Sequence, residues 1–142
     1  MKVVREFARA NKWTFKIPPI AILLSRYMNG GVWIDPFAGA NSPADITNDM
    51  DTAMPTNYHT EAVEFCRGLT GYYDGVLIDP PYSYRQISEH YRAKGVKATY
   101  KDTSYNFYGR VYEVIAPLIG PVAWQYPLVG IVTVSGRLEV LK

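Results

Sequence analysis

Gly75-Val76-Leu77-Ile78-Asp79-Pro80-Pro81-Tyr82 is a short apolar run stopped by a carboxylate and two consecutive prolines. An uninterrupted apolar run bounded by a breaker reads as a strand buried on both faces, the kind found inside a parallel sheet. Upstream, Val32-Trp33-Ile34 runs into Asp35-Pro36 in the same way, so two strands end in Asp-Pro. Between them, Ile46-Thr47 leads to another acidic end at Asn48-Asp49-Met50-Asp51, and Glu61 to Leu69 sets Ala62, Phe65 and Leu69 at helical spacing. Ile17-Pro18-Pro19 is predicted to be extended, because each proline biases the residue before it away from helix; a helix over Ile20 to Met28 follows, ended by Asn29-Gly30-Gly31. Further helices are predicted over Arg85 to Arg92 and Phe107 to Leu118, before a β-branched tail at Val129 to Val134. Strands alternating with helices predict an α/β fold with a parallel sheet. Ligands of such sheets gather outside the carboxyl ends of the strands, the edge to which both Asp-Pro corners belong.

The rest of the chain narrows the chemistry. Its 142 residues, without repeat or linker-like stretch, predict a single domain. No apolar run approaches the roughly 18 residues of a membrane span, and Met1 to Ala10 mixes charge with apolar residues where a secretory signal would be continuously apolar; a cytoplasmic location is expected. Cys66 is the only cysteine and His59 and His90 lack ligand-like spacing, so neither an internal disulfide nor a metal site is expected. Net charge is +2 but unevenly spread: residues 1–34 carry six basic and one acidic residue, 35–82 one basic and eight acidic, and 83–142 eight basic and four acidic. An acidic centre suits a ligand with hydroxyls and a positive charge, and basic flanks suit a polyanion. Solvated helix faces would give the same asymmetry without any ligand.

Asp79-Pro80-Pro81-Tyr82 carries the most specific chemistry. The exocyclic nitrogen of adenine is a poor nucleophile because its lone pair is delocalised into the ring. An enzyme that alkylates it must localise that pair with acceptors aimed at the amine hydrogens. Asp79 would supply a carboxylate and Pro80 a backbone carbonyl, with the consecutive prolines holding the turn rigid. Tyr82 offers an aromatic face on which an extruded base can stack. Read without chemistry, the same tetrapeptide is a proline-stiffened strand exit with a surface tyrosine. Arg85, Arg92, Lys94, Lys97, Lys101 and Arg110, interleaved with Tyr91, Tyr100 and Tyr105, follow directly and suit phosphate contacts beside base stacking, or a lysine-rich surface loop.

In order, these motifs resemble those of adenine-specific DNA methyltransferases with an Asp-Pro-Pro-Tyr turn, above all the compact ones of phages and prophages. The resemblance runs to about residue 119 and implies a Rossmann-like methyltransferase sheet, shortened at its C-terminal end. It implies S-adenosylmethionine as methyl donor, adenine in DNA as acceptor, and the cytoplasm of a bacterium or phage-infected cell as the location. Asp79, Pro80, Pro81 and Tyr82 then form the catalytic turn. Asp35, Pro36, Phe37 and Ala38 form the cofactor corner, whose backbone approaches the methionine part of the cofactor. Asp49, beside Met50, takes the ribose hydroxyls, with Asp51 the near alternative on the same strand face. Glu61-Ala62 stands where the family has Asp-Ala, the carboxylate meeting the cofactor's adenine amine; glutamate is one methylene longer. Phe15 and Pro18 lie in the segment that packs around the methionine end. Each has a plainer reading: Asp49 and Asp51 as turn residues, Glu61 as a helix N-terminal acid, Phe37 as a core aromatic.

From residue 120 to 142 the chain departs from the family, which there has Pro-Gly-Gly and then Ser-Phe-Gly-Trp-Asn-Ser-Asn-Gly. Regrouped from each third base, codons for Gly120 to Gly136 permit Pro-Gly-Gly-Val-Ala-Val-Ser-Phe-Gly-Trp-Asn-Ser-Asn-Gly-Phe-Gly, which points to a shifted reading frame. Coding DNA that cannot be regrouped this way would remove the idea. The tail is expected to fill a sheet edge by composition alone. A catalytically impaired remnant, a cofactor-binding module, or a methyltransferase acting on RNA or a protein amide are the rival readings.

Overall fold

The computed structural model describes residues 3–7, 13–28, 30–80, 92, 95, 105–119, 130–134 and 137–141. Six strands among them form one sheet: β1 (Val3–Phe7), β2 (Trp33–Asp35), β3 (Ile46–Thr47), β4 (Gly75–Ile78), β5 (Gly130–Val134) and β6 (Arg137–Leu141), in the order β1-β6-β5-β4-β2-β3. β3, β2, β4 and β5 are parallel neighbours, while β6 runs antiparallel to β5 and to β1. Helices α1 (Pro18–Tyr27), α2 (Ala62–Gly68) and α3 (Tyr105–Ile115) complete a mixed α/β domain.

Strand alternation sorts the core into two layers. Trp33 and Leu77 face one side of the sheet, where Phe15, Ile17 and the α1 residues Ile20, Leu23 and Leu24 cover them. Ile34, Val76 and Ile78 face the other, against Val63, Phe65 and Cys66 of α2 and Val111 and Ile115 of α3. All of β2 and β4 is buried, as their continuous apolar character requires. Trp33 pairs with Gly75 across the strands, and a Cβ at Gly75 would run into the indole ring. That glycine is what lets a tryptophan lie over the neighbouring strand.

α1 begins earlier than the sequence reading has it. Ile17 is extended, as a residue before proline should be, but Pro18 and Pro19 are the first two helical residues. Their missing N–H groups fall where a helix has no internal acceptor, and their fixed φ suits the first turn. The predicted helix over Glu61 to Leu69 loses both ends to caps, Glu61 and Leu69. The predicted helix over Phe107 to Leu118 is α3 followed by a 3-10 turn, Ala116–Leu118. Of the predicted helix over Arg85 to Arg92, only Arg92, which is helical, lies within the described residues.

The tail corrects a further expectation. β5 is not an edge strand; it is paired on both sides, to β4 and β6, and β1 forms the edge beyond them. Ile119 bridges Tyr73 in parallel, 46 residues apart, whereas Gly130 pairs with Val76, 54 residues apart. The pairing offset is therefore eight residues greater at Gly130 than at Ile119. The opposite edge, β3, is shielded by the 56–60 segment: Tyr58 donates to the Thr47 carbonyl, Asp49 to the Tyr58 carbonyl, and Asn57 Oδ1 accepts from both the Thr47 amide and hydroxyl. No described helix is long and apolar enough to cross a membrane.

Candidate functional site

Because β3, β2 and β4 run parallel side by side, the residues that follow their last positions collect on one edge. Asp35 ends β2, Asp79 follows β4 directly, and Asp49 lies just past β3. Alternation puts Asp35 on the same side as Trp33 and Asp79 on the same side as Leu77, and those two residues share the α1 face. The charges of Asp79 and Asp49 both act on the Asp35 carboxyl. Three carboxylates from three strand ends thus meet at one corner of the sheet.

Their environments differ. Asp35 is 0% exposed; Oδ1 accepts from the Phe37 N–H at 2.9 Å and Oδ2 from the Ser42 hydroxyl at 2.6 Å. Burial pushes its pKa up to about 7, against the two hydrogen bonds that lower it and with Asp79 and Asp49 raising it further. Its side chain holds the corner together from inside, so the part of the corner open to a ligand is backbone. Asp79 is half-buried and Pro80 buried. Asp79 cannot repeat the Asp35 arrangement, because the residue two places on is Pro81, which has no N–H. Pro81 and Tyr82 lie outside the described residues. So do Arg85, Tyr91, Lys94, Lys97, Tyr100 and Lys101 of the basic, tyrosine-rich stretch; Arg92 and Arg110 are exposed.

The second-strand end binds the corner to its surroundings. Asp49 Oδ2 accepts from the Gly39 N–H at 3.0 Å and Oδ1 from the Asp51 N–H at 2.7 Å, while Asp51 Oδ1 accepts from the Ala53 N–H. Asp49 is thus a loop organiser whose carboxylate still has lone pairs to offer, since about four acceptor positions serve two donors. Gly39 has φ +54°, and the space where its side chain would stand is open. Met50 is half-buried beside it in sequence.

Glu61 has the role its plainer reading gave it. Its Oε2 accepts from the Val63 and Glu64 N–H groups at 3.0 and 3.2 Å and caps α2. A contact with a cofactor would have to use Oε1. Ala62 is buried as the first residue of α2. Phe37 is half-buried and packs on the α2–α3 core, away from the face of Asp35. Phe15 is buried in the α1 layer. Pro18 is exposed at the start of α1. Burial pushes the Cys66 thiol up to about 12, helped by the nearby Glu61 charge, which leaves it inert as a nucleophile. Among the described residues no group of three or more His, Cys, Asp or Glu side chains is arranged to hold a metal ion.

Two residues of the corner escape a reading of motifs. Ser42 is separated from Asp35 by a loop with no spacing rule. Asn48 stands just after β3, on the face of Ile46, where a strand reading leaves an inward polar residue unexplained; that was its only signal. The chain matches no family model, and comparison with curated proteins and with solved structures finds no match either.

Proposed function

We propose that this chain transfers a methyl group from S-adenosylmethionine to the exocyclic amine of adenine in DNA, on a Rossmann-like methyltransferase sheet. The observation that carries the reading is the convergence of Asp35, Asp49 and Asp79 at the carboxyl edge of three adjacent parallel strands. A methyl donor with a positively charged sulfur and a ribose diol fits a corner of this charge, with the open backbone at Gly39 and the unused acceptor capacity of Asp49 available to it.

When bound, that donor would supply an electrophilic methyl group: the nitrogen–methyl bond would form as the sulfur–methyl bond breaks, the sulfur would leave as a neutral thioether, and the proton lost from the amine would pass by way of the Asp79 carboxylate to water. The chain's own part is to orient. The Asp79 carboxylate accepts one amine hydrogen and the Pro80 carbonyl the other, which holds the nitrogen lone pair out of conjugation and toward the methyl group. Asp35 fixes the neighbouring corner by holding Phe37 and Ser42. Tyr82 would stack on the extruded base.

A second reading, a cofactor-binding module or remnant without turnover, is favoured by the change of eight in pairing offset between Ile119 and Gly130, where the chain begins to depart from the methyltransferase pattern. Calorimetry with S-adenosylmethionine beside a methyl-transfer assay on unmethylated DNA separates the two. Binding with transfer supports the proposal, binding without transfer supports the module, and absence of binding removes both. Competition with RNA and with protein amides in the same assay fixes the acceptor.

A further inference from the structure

The corner has a centre that touches none of the three carboxylates through its side chain. Asn48 is 0% exposed. Its Nδ2 donates to the Pro36 carbonyl at 3.1 Å and to the Thr60 carbonyl at 3.0 Å. Its Oδ1 accepts from the Thr60 N–H at 3.0 Å and from the Thr60 hydroxyl at 3.3 Å. Its backbone N–H donates to the Asp35 carbonyl, and its own carbonyl accepts from the Ala38 N–H, both at 2.9 Å. A single side chain thereby ties the loop after β2 to the residue that precedes the α2 cap, and its peptide group ties that loop to the end of β3.

The side-chain chemistry is specific to asparagine. Two carbonyls, Pro36 and Thr60, need donors from one side of the group, and the Thr60 N–H needs an acceptor from the other; a primary amide has two N–H donors and a carbonyl. Aspartate has the shape but would turn an oxygen toward both carbonyls. Alanine would leave the buried Pro36 carbonyl unpaired and take from the Thr60 backbone both of these partners. Four hydrogen bonds thus join this one side chain to Pro36 and Thr60.

We propose that Asn48 is the positioning residue of the site, setting the spacing between the Pro36–Gly39 backbone, the Asp49 carboxylate and the Glu61 end of α2. This rests on the reading of that corner as a cofactor site, but part of it does not: the same clamp seals the loop that encloses Asp35. Asp35 is faced by Asp79 from β4 and Asp49 from the β3 end, and is hydrogen-bonded by Ser42 and Phe37 from its own loop. Loosening Pro36 admits water to it.

The test compares Asn48→Ala with the wild-type chain and with Val111→Ala, a buried α3 change that lowers stability without touching the corner. Two quantities are read in each folded protein: the midpoint of the Asp35 carboxyl titration by carbon-detected NMR, and the dissociation constant for S-adenosylmethionine. Asn48→Ala should move the Asp35 midpoint down toward an ordinary carboxylate and weaken cofactor binding about tenfold or more, whereas Val111→Ala should leave both unchanged. If the wild type binds no cofactor but the Asp35 midpoint still moves only in Asn48→Ala, the clamp stands and the cofactor reading falls. If both quantities stay put in folded Asn48→Ala, or move equally in Val111→Ala, the proposal is overturned. Should Asn48→Ala fail to fold, Asn48→Ser, uncharged and too short to span Pro36 and Thr60, is read in the same two ways.

Discussion

The two Asp-Pro corners begin alike and end differently. Asp35 and Asp79 both close buried parallel strands, both precede a buried proline, and both face the α1 side of the sheet. After Asp35-Pro36 comes Phe37, whose N–H the carboxylate takes at 2.9 Å; after Asp79-Pro80 comes Pro81, which has none to give. The first carboxyl is drawn inside its own loop, loses water and is pushed up to about 7. The second is denied that local partner and remains half-buried at the edge. One proline thus separates an aspartate folded back on the N–H two residues on from one that has no such N–H to accept from.

That contrast can be broken in several ways. The largest effect belongs to Asp79→Ala, which should reduce methyl transfer about a hundredfold or more while cofactor binding by calorimetry changes little; equal activity would take Asp79 out of the mechanism. Pro81→Ala restores an N–H two residues after Asp79 and with it the fold-back that Asp35 makes. Transfer should fall about tenfold, with cofactor affinity preserved. Full activity in that variant would mean that the missing N–H is not what sets Asp79 apart.

Asp35→Asn addresses the scaffold side and has a definite pH signature. A buried carboxyl whose folded pKa exceeds its unfolded value binds its proton more tightly when folded, so its contribution to stability is complete below the ordinary carboxylate value of 3.8 and is lost as pH rises through about 7. The wild type should therefore lose stability relative to Asp35→Asn between about pH 4 and pH 7, by as much as roughly 4 kcal/mol. Paired denaturant titrations across that range measure it, and parallel curves would contradict burial of the charge. Ser42→Ala gives the smallest effect. It removes a hydrogen bond that favours the charged form, so the Asp35 titration should move further up and stability above pH 7 should drop by about 1 kcal/mol.

Much of this was legible before the fold was known. β4 ends where Asp79 says it should, β2 where Asp35 does, and α2 lies inside the predicted span because apolar spacing and breakers are local signals. β1 was not legible: Val3–Phe7 mixes charge with apolar residues, and its pairing partner, Arg137–Leu141, is at the other end of the chain. Nor was the double pairing of β5, since composition favours a strand without saying which neighbours it acquires. Glu61 shows the limit for a site residue, because an acid before a helix serves equally as cap or ligand until its hydrogen bonds are seen.

By itself the sequence determined that buried strands stop at carboxylates and that consecutive prolines stiffen the turn after Asp79. Both follow from the covalent chemistry of neighbouring residues. Only the tertiary structure decided that Asp35, Asp49 and Asp79 meet on one edge, that Asp35 is dehydrated by its own loop, and that Asn48 binds the corner to the start of α2. Those are matters of which distant segments lie side by side, and burial and hydrogen-bond partnership exist only once they do.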